Sequence, residues 1–392
     1  MKIALSVSVI QKGKSGVATY VSGLLRGLAA SGWPVEVVLF GLEDDKSWFA
    51  PWLDRCTWVG VPEKFRPAVA NILWHQTKMP GLLRQHRCDV LHIPSYRRMV
   101  AFPGIPQVVT VHDCAPFRLQ GKYDQLRMFY GRQMVTRLAR RAKEVIAVSE
   151  ATAADIREFF GVREERLTVI YNGINHTLFQ PQTPEAVRAR LPVTQAWEDG
   201  WWVYVARLEH PGKNHLRLIE AFARLCEECP REAGRLVLAG ADWHGADVVH
   251  RAIEVSPVRD RIHCAGFVPE EDLPAWYSGA KGLVFPSLFE GFGLPPVEAM
   301  ACGCPVLCSD RGSLAEVTGG AAVLFDPEDV AGITAAMRKL CSDPAQRYEL
   351  RAAGLARAAL FEWSRCASAT VDIYQRAAGN ALTGPSLNQS TA

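Results

Sequence analysis

Short apolar runs alternate with amphipathic stretches along most of the chain. In the first half, the runs that predict β-strands are 2–9, 35–41, 56–60, 89–93, 106–111, 144–149 and 167–171. A second series follows at 201–206, 235–240, 262–267, 282–287, 305–309 and 322–326. Between the first two runs, apolar residues recur at three- and four-residue spacing from Val17 to Leu28, which predicts a helix ending before Gly32. Strands that alternate with helices are typical of parallel sheets covered by helices.

The two strand series predict two domains. At 392 residues the chain has the length of two ordinary domains. Residues 180–200 are rich in proline and interrupt the pattern, as a linker would. We therefore expect two successive open α/β sheets with a cleft between them, and a disordered tail at 380–392. Ligands of such sheets bind beyond the carboxyl ends of the strands, so polar motifs at those positions carry most weight.

The net charge of +3 conceals a basic N-terminal half. Residues 1–180 contain 24 Lys and Arg against 15 Asp and Glu, hence +9, whereas residues 181–392 contain 20 against 26, hence −6. No nucleic-acid recognition motif accompanies this charge, which leaves anionic lipid or a phosphorylated substrate as partners. Residues 121–143 interleave seven Lys and Arg with apolar side chains, as an interfacial helix on an anionic membrane would. A solvated helix packed on its own domain explains the same pattern.

The cysteines and the lack of long apolar runs predict where the protein works. The chain contains eleven cysteines, an odd number that cannot all form disulfides within the chain. The sequence shows no secretory signal before the first strand and no run of about 18 apolar residues that would span a membrane. We therefore expect a cytoplasmic protein with reduced thiols, which could also lie peripherally on the inner face of the cell membrane. Cys226 and Cys229 have no second pair at zinc-ligand spacing, so no metal site is predicted.

The loop after the first strand contains Gly-Lys-Ser, the end of a phosphate-binding P-loop. A P-loop requires a glycine five positions before Gly13, where Ser8 stands, and a dinucleotide fingerprint requires a third glycine after Gly16. An NTPase is therefore excluded. What remains is a flexible loop before a helix N-terminus, which suits an anion or a sugar hydroxyl, or serves as a plain turn.

The most informative segment is 284–309, VFPSLFEGFGLPPVEAMACGCPVLCS. A strand ends near Pro286, a Gly-Phe-Gly loop follows Glu290, and Leu-Pro-Pro opens a helix. The helix N-terminus attracts anions, and Glu290 and Glu298 place two carboxylates beyond one strand, where they can accept hydrogen bonds from sugar hydroxyls. A capped helix with a solvated Glu298 is the simpler alternative.

A second cluster, YVARLEHPGKNHLRLIEAF, spans 204–222 and follows the first strand of the second series. Arg207 and Lys213 flank a Pro-Gly turn before a helix. A guanidinium and an ammonium at this spacing can converge on one diphosphate. Solvated surface charge is the default for either residue alone.

These motifs resemble the retaining glycosyltransferases of family 4, whose fold is GT-B: two Rossmann-like doubly wound α/β domains that face each other across a cleft. The segments that carry the resemblance are FEGFGLPPVEAMACGCPVLCSDRGSLAEV, VARLEHPGKN, VIAVSEATAADI, VIYNGIN and TVHDCAPF. The resemblance extends to about residue 380. It implies an N-terminal acceptor-binding domain at 1–178, a C-terminal donor-binding domain at 179–363, and a helix at about 364–379 that packs back on the N-terminal domain.

The resemblance also implies roles for single residues. Glu290 would hold hydroxyls of the donor sugar, Arg207 and Lys213 the diphosphate, and Glu298 the ribose. His112 would lie against the transferring sugar, with a core histidine at a strand end as the alternative. The other implied donor contacts are Gly16, the base-binding turn Gly266, Phe267 and Val268, and the backbone of Phe292, Gly293 and Leu294. The acceptor contacts that we expect are Ser15, which replaces the usual first glycine of its loop, and Tyr96, Arg97, Arg98 and Asp113.

The implied reaction moves a hexose from a nucleoside-diphosphate sugar to a saccharide or lipid-linked saccharide, with retention at the anomeric carbon. No Asp-x-Asp motif occurs, so we expect neither a metal nor another cofactor. The resemblance to mannosyltransferases of surface-polysaccharide assembly favours GDP-mannose as donor, with UDP-glucose as the alternative. A sugar-nucleotide epimerase or hydrolase, or a binding protein with an inactive site, would share the fold. The intact set Arg207, Lys213, Glu290 and Glu298 argues against an inactive site.

Overall fold

The computed structural model describes residues 1–10, 12–13, 15–118, 134–197 and 199–379. The chain divides into two units. Unit 1 comprises Met1–Gly173 together with the chain from Trp363 onward, and unit 2 comprises Ile174–Glu362. The boundary between unit 1 and unit 2 thus lies between Gly173 and Ile174, whereas the sequence predicts a domain boundary between residues 178 and 179.

Unit 1 contains a parallel sheet. Its strands are β1 (Lys2–Ser6), β2 (Glu36–Leu42), β3 (Cys56–Val61), β4 (Val90–Ile93), β5 (Gln107–Val111), β6 (Glu144–Ala147) and β7 (Leu167–Val169). Its described helices are α1 (Gly16–Ala30), α2 (Ala68–Thr77), α3 (Met79–Gln85), α4 (Ala115–Arg118), α5 (Thr136–Arg141), α6 (Glu150–Asp155) and the C-terminal helix (Trp363–Ala378). The strand order is β3-β2-β1-β4-β5-β6-β7. The strands predicted for the first half are confirmed, with ends that coincide or are shifted by at most three residues.

Unit 2 repeats this design. Its strands are β8 (Trp201–Val205), β9 (Arg235–Ala239), β10 (Ile262–Gly266), β11 (Gly282–Phe285), β12 (Val306–Ser309) and β13 (Val323–Phe325). Its described helices are α7 (Pro184–Arg190), α8 (His215–Glu228), α9 (Ala246–Glu254), α10 (Leu273–Ser278), α11 (Leu294–Ala301), α12 (Leu314–Thr318), α13 (Val330–Ser342) and α14 (Pro344–Ala358). The order is β10-β9-β8-β11-β12-β13, with every described pairing parallel. The strands predicted for the second half are confirmed.

Both sheets are doubly wound, because the strand order reverses beside the first strand of each unit. The reversal falls between β1 and β4 in unit 1 and between β8 and β11 in unit 2. Central strands such as β4 and β11 are buried along their whole length, as expected for sheets covered by helices on both faces. Loops that leave the carboxyl ends on either side of such a reversal run in opposite directions and open a crevice, where ligands of these folds bind.

The C-terminal helix shares a hydrophobic core with α1 in unit 1. Two glycines of α1 permit the close approach: a Cβ on Gly23 would lie 2.0 Å from Cε2 of Trp363, and a Cβ on Gly27 would lie 2.1 Å from the Trp363 carbonyl oxygen. At its other end, the helix is bound through the hydroxyl of Tyr374, 2.6 Å from Nδ1 of buried His92. The last helix is therefore an integral part of unit 1.

The predicted linker at 180–200 is wrong. Pro184 lies in the first turn of α7, and the hydroxyl of Thr183 caps this helix by accepting a hydrogen bond from the Ala186 N–H at 3.3 Å. Val187 and Leu191 are buried in unit 2. Proline is favoured in the first helical turn as well as in linkers, so the proline-rich composition does not separate the two.

The predicted interfacial helix at 121–143 is corrected in part. Residues 121–133, like the predicted tail at 380–392, lie outside the described residues. In the described remainder, Val135 and Leu138 are buried in the core of unit 1, and Nε of Arg140 donates to the Phe160 carbonyl at 2.6 Å. These apolar side chains pack on the protein. An amphipathic pattern suits a protein core as well as a membrane surface, so the pattern alone does not separate the two. Across the described ranges, no helix combines the length and apolar character that crossing a membrane requires.

The tight contact between α1 and the C-terminal helix predicts that Gly23→Ala destabilises unit 1, although alanine favours helices. The added methyl group would clash with the Trp363 ring, and overpacking of this kind costs about 1–3 kcal/mol. The control is Gly81→Ala in α3, where no described atom lies within 4 Å of the new methyl group. This change should raise stability by about 0.5–1 kcal/mol through helix propensity. Thermal unfolding of the three proteins measures both effects, and a Gly23→Ala protein as stable as the control would contradict the packing.

Candidate active site

The reversal point of unit 2 joins two of the predicted site residues. Lys213 follows β8 and Glu290 follows β11, and these two strands are neighbours. Nζ of Lys213 lies 2.6 Å from Oε1 of Glu290, and the two side chains are only 20% and 16% exposed. A contact this short between opposite charges is a charge-assisted hydrogen bond. The two residues are 77 positions apart in sequence, so the fold brings them together.

An asparagine holds the two loops in place. Asn214 precedes α8 with a φ of 58°, in the left-handed region. Its Nδ2 donates to the carbonyls of Pro286 at 3.0 Å and Pro327 at 2.7 Å. The hydroxyl of buried Tyr204 donates to the Lys213 carbonyl at 2.7 Å. Neither Asn214 nor Tyr204 is among the predicted site residues, because most of their partners lie far away in sequence.

The glycine turn after Glu290 leads directly into α11, which begins at Leu294. Gly293 has a φ of 90°, and a Cβ there would lie 2.6 Å from Cδ2 of Leu314, so this position requires glycine. The side chain of Phe292 is 5% exposed and packs edge-to-face on another phenylalanine of unit 2. Of the first helical turn, only Leu294 has a backbone N–H, because Pro295 and Pro296 have none. This N–H lies at a fixed position beside Glu290, where it can help to bind an anion.

Glu298, on α11, has a different environment from Glu290. It is 7% exposed, and the hydroxyl of Tyr277 donates to its Oε2 at 3.1 Å. Burial raises the pKa of Glu298 from 4.5 to about 8, and the nearby Glu270 carboxylate adds to the increase. The alternative of a solvated Glu298 is therefore wrong. Glu298 is a buried carboxylic acid that is mostly neutral at pH 7.

The predicted base-binding turn follows β10. Gly266 has a φ of 65°, and no described atom lies within 4 Å of the position that a Cβ would take. Phe267 is 58% exposed and Val268 is half-buried. Since β10, β9, β8 and β11 are neighbours in that order, this turn, the loop after β9, Arg207 and Glu290 succeed one another along one edge of the sheet.

Arg207 follows β8, and two side chains hold its guanidinium group. Its Cζ lies 4.5 Å from the ring centroid of Trp243, which belongs to the loop after β9. Its Nη2 lies 3.7 Å from Oε2 of Glu209, a side chain that is 4% exposed. Neither Trp243 nor Glu209 is among the predicted site residues, since a single aromatic or acidic residue in a loop forms no motif. The convergence of Arg207 and Lys213 on one diphosphate stays a prediction.

In unit 1, His112 directly follows β5 at the carboxyl edge of the sheet. Its imidazole packs edge-on against Tyr20, with ring centroids 4.8 Å apart. Burial lowers the pKa of His112 from 6.5 to about 4, although Asp113 and a hydrogen bond to the Pro94 backbone oppose this shift. Its Nε2 is buried and has no hydrogen-bond partner among the described residues. A buried polar atom in this state is costly and points to a contact that a ligand would complete.

The loop before α1 is folded around Ser15. The Ser15 hydroxyl accepts a hydrogen bond from the Ala18 N–H at 3.2 Å and donates to the Ile10 carbonyl at 3.1 Å, so it caps α1. Gly16 begins the helix, is exposed, and has open space around its Cα within the described structure. Lys14 lies outside the described residues. In this loop Ser15 has a structural role, and Gly16 leaves room for a ligand.

The other expected acceptor contacts lie after β4 and β5. Tyr96 is 7% exposed, and the guanidinium of Arg97 lies 5.7 Å from its ring centroid. Nε of Arg98 donates to Oδ1 of Asn71 at 2.6 Å. Oδ1 of Asp113 accepts the N–H of the residue that begins α4, at 3.0 Å. All four have partners inside unit 1, and their contact with an acceptor stays a prediction.

The cysteines are free, including Cys226 and Cys229. Within the described ranges, no group of three or more His, Cys, Asp or Glu side chains is arranged to hold a metal ion. Arg207, Lys213 and the start of α11 give this site positive potential.

Known families match both units. Residues 14–178 match Glycosyltransferase Family 4, and residues 197–357 match Glycosyl transferases group 1. The chain is 32% identical over 307 residues to the O-antigen chain mannosyltransferase B of Escherichia coli, which covers 77% of this chain and 78% of that protein. It is 33% identical over 292 residues to the MMP alpha-(1->4)-mannosyltransferase of Mycolicibacterium hassiacum, which covers 71% of this chain and 67% of that protein.

The fold also has close structural neighbours. Sucrose-phosphate synthase from Thermosynechococcus elongatus superposes with a TM-score of 0.76, covering 96% of this chain and 98% of that chain at 22% identity. The fold is GT-B, as the sequence predicts. The two family matches and the similarity to the two mannosyltransferases show that the chain belongs to glycosyltransferase family 4 and is a glycosyltransferase.

Proposed function

We propose that this glycosyltransferase moves mannose from GDP-mannose to a saccharide or lipid-linked saccharide in polysaccharide or glycolipid biosynthesis. The observation that carries the proposal is the 2.6 Å contact between Lys213 and Glu290. In a nucleoside-diphosphate sugar, the β-phosphate and the sugar ring meet at one C–O bond. An ammonium for the phosphate and a carboxylate for the sugar hydroxyls must therefore reach adjacent points. Both similar enzymes described above are mannosyltransferases, which supports mannose as the transferred sugar.

The order of loops along the edge of the unit 2 sheet suits an extended donor. The base would contact the 266–268 turn, and Glu298 would accept hydrogen bonds from the ribose. Arg207 and Lys213 would bind the diphosphate, together with N–H groups at the glycine turn and the start of α11. The sugar would then lie at Glu290. This assignment follows the neighbour order of the strands, and α11 adds its N-terminus and Glu298.

We propose that the reaction is retaining and needs no metal or other cofactor. As the anomeric C–O bond breaks, its electrons pass to the departing diphosphate. Arg207, Lys213 and the N-terminus of α11 would stabilise that negative charge. The acceptor oxygen attacks the face from which the phosphate leaves, so the configuration is retained. The acceptor proton passes to the departing phosphate oxygen, which balances the step.

His112 would orient the acceptor hydroxyl rather than remove its proton. With a pKa of about 4, its imidazole is neutral at pH 7 and a weak base. The departing phosphate is the better proton acceptor in this site. The buried Nε2, which has no partner among the described residues, supports a hydrogen bond to a ligand.

Loss of either half of the ion pair should nearly abolish turnover. Glu290→Ala and Lys213→Ala should each lower kcat by about 100-fold or more, the scale for loss of one preorganised transition-state contact. The controls are Glu349→Ala and Lys339→Ala, which remove exposed charges from α14 and α13 of the same unit. Transfer assays on folded, purified proteins measure the effect. Near-normal kcat in both site variants would refute these assignments.

Glu298 should make nucleotide binding depend on pH. Ribose hydroxyls donate hydrogen bonds, so binding favours the charged carboxylate, whereas the acid is protonated below its pKa of about 8. GDP affinity should therefore rise between pH 7 and pH 9, by at most about tenfold per pH unit below the pKa. Titration calorimetry measures this rise in a range where the phosphate, with its second pKa near 6, is already ionised. Glu298→Gln should remove this pH dependence. If the GDP affinity of the unchanged protein did not vary between pH 7 and pH 9, the proposed contact of Glu298 with the ribose would be contradicted.

GDP-mannose should raise the thermal unfolding temperature more than UDP-glucose or an ADP-sugar, because a ligand of the folded state stabilises it. A larger shift with UDP-glucose would indicate that UDP-glucose is the donor, and it would leave the transferase assignment intact.

EDTA should not change the transfer rate, and NMR should show the same anomeric configuration in donor and product. Release of free mannose regardless of acceptor would indicate a hydrolase, and an altered sugar on the nucleotide would indicate an epimerase.

A further inference from the structure

We propose that Trp243 is a positioning residue that orients the guanidinium group of Arg207 for the diphosphate. The inference rests on the proposed function, in which Arg207 binds that group. The indole is 49% exposed although it lies at the carboxyl edge of the unit 2 sheet. The Arg207 Cζ lies 4.5 Å from its ring centroid, which is the distance of a cation–π contact.

The backbone fixes where this ring lies. Parallel pairing continues beyond the ends of β8 and β9: Leu208 donates to the Ala241 carbonyl at 3.0 Å, and Trp243 donates to the Leu208 carbonyl at 3.1 Å. A bridge also pairs Leu208 with Asp242. Arg207 and Trp243 therefore belong to two strand extensions that are hydrogen-bonded to each other. The contact between their side chains has a rigid base.

An aromatic ring suits this position better than a second carboxylate. A guanidinium lying over a ring keeps its N–H donors, which point outward in its own plane, available for phosphate oxygens. A second carboxylate would occupy those donors and compete with the diphosphate for charge. The buried Glu209 already provides one negative charge, 3.7 Å from Nη2. Trp243 can thus restrict the long Arg207 side chain, which is 42% exposed, without occupying its hydrogen bonds.

The test compares ligands with and without the diphosphate. Trp243→Leu removes the ring, Trp243→Phe keeps one, and Tyr348→Leu on α14 is the matched control at an aromatic that is 74% exposed. Titration calorimetry with GDP, UDP and the nucleosides guanosine and uridine gives the affinities. We expect Trp243→Leu to weaken binding of the diphosphate about fivefold and to leave nucleoside binding unchanged. Trp243→Phe should restore most of the loss.

Arg207→Ala separates this inference from the proposed function. In that background Trp243→Leu should have no further effect, since the guanidinium that it orients is gone. Absence of GDP and UDP binding in the unchanged protein would overturn the proposed function, and unchanged diphosphate affinity in Arg207→Ala would overturn the role of Arg207. If the unchanged protein binds GDP or UDP and Arg207→Ala weakens that binding, the positioning role can be tested by itself. A diphosphate affinity of Trp243→Leu within twofold of that of the unchanged protein would then overturn it. Equal weakening of nucleoside and diphosphate, or a full effect without Arg207, would overturn it in favour of a direct contact with the base.

Discussion

The ion pair between Lys213 and Glu290 is the interaction on which the site of unit 2 depends. Both side chains are largely withdrawn from water, and charges in such places are stable only when each has a well-placed partner. The fold meets this condition through Asn214, which ties its own turn to the Pro286 and Pro327 carbonyls. In the proposed donor complex both charges would keep partners, because the diphosphate would satisfy the ammonium and the sugar hydroxyls the carboxylate. A donor that supplies both groups fits the pair better than a simple anion.

Burial divides the titratable groups near the two sheet edges into charged and neutral sets. It raises the pKa of Glu298 to about 8 and lowers that of His112 to about 4, so both are mostly neutral at pH 7 in the free protein. The two shifts have opposite directions because burial disfavours the charged form of each group. The charged form of Glu298 is the deprotonated carboxylate, and that of His112 is the protonated imidazolium. The proposed partners of these two groups are hydroxyls, and those of the ion pair include the charged diphosphate. Neutral His112 can bond to a hydroxyl as it stands, whereas Glu298 accepts best from the ribose once it has lost its proton, so its burial makes nucleotide binding depend on pH.

The sequence predicts most of what depends on local pattern and little of what depends on distant contacts. Strands in parallel sheets are apolar on both faces, so their short runs are recognisable without a partner strand. The Glu290 and Lys213 motifs are also local, with a glycine turn and a Pro-Gly turn beside them. Asn214 and Trp243 are not predicted, because their partners belong to other loops. Asn214 donates to carbonyls of two distant loops, and Trp243 contacts the guanidinium of Arg207. The wrong linker at 180–200 and the partly corrected membrane segment have one cause, since composition alone does not show what a helix packs against.

The same strand order supports different chemistry in the two units. At the reversal point of unit 1, Oγ of Ser6 lies 2.8 Å from Nε2 of buried His75, and the Ser8 hydroxyl donates to Oδ1 of Asn71 at 3.3 Å. Burial lowers the pKa of His75 to about 4, so this part of the network is uncharged at pH 7. The equivalent place in unit 2 holds Lys213 and Glu290. The Arg98 guanidinium donates to the same Oδ1 of Asn71, so this edge combines uncharged hydroxyl and imidazole groups with a cation. Such a set suits a saccharide that offers hydroxyls, and the ion pair of unit 2 suits a diphosphate. The fold repeats the position of the site, and the loops after the strands decide which half of the reaction each edge can serve.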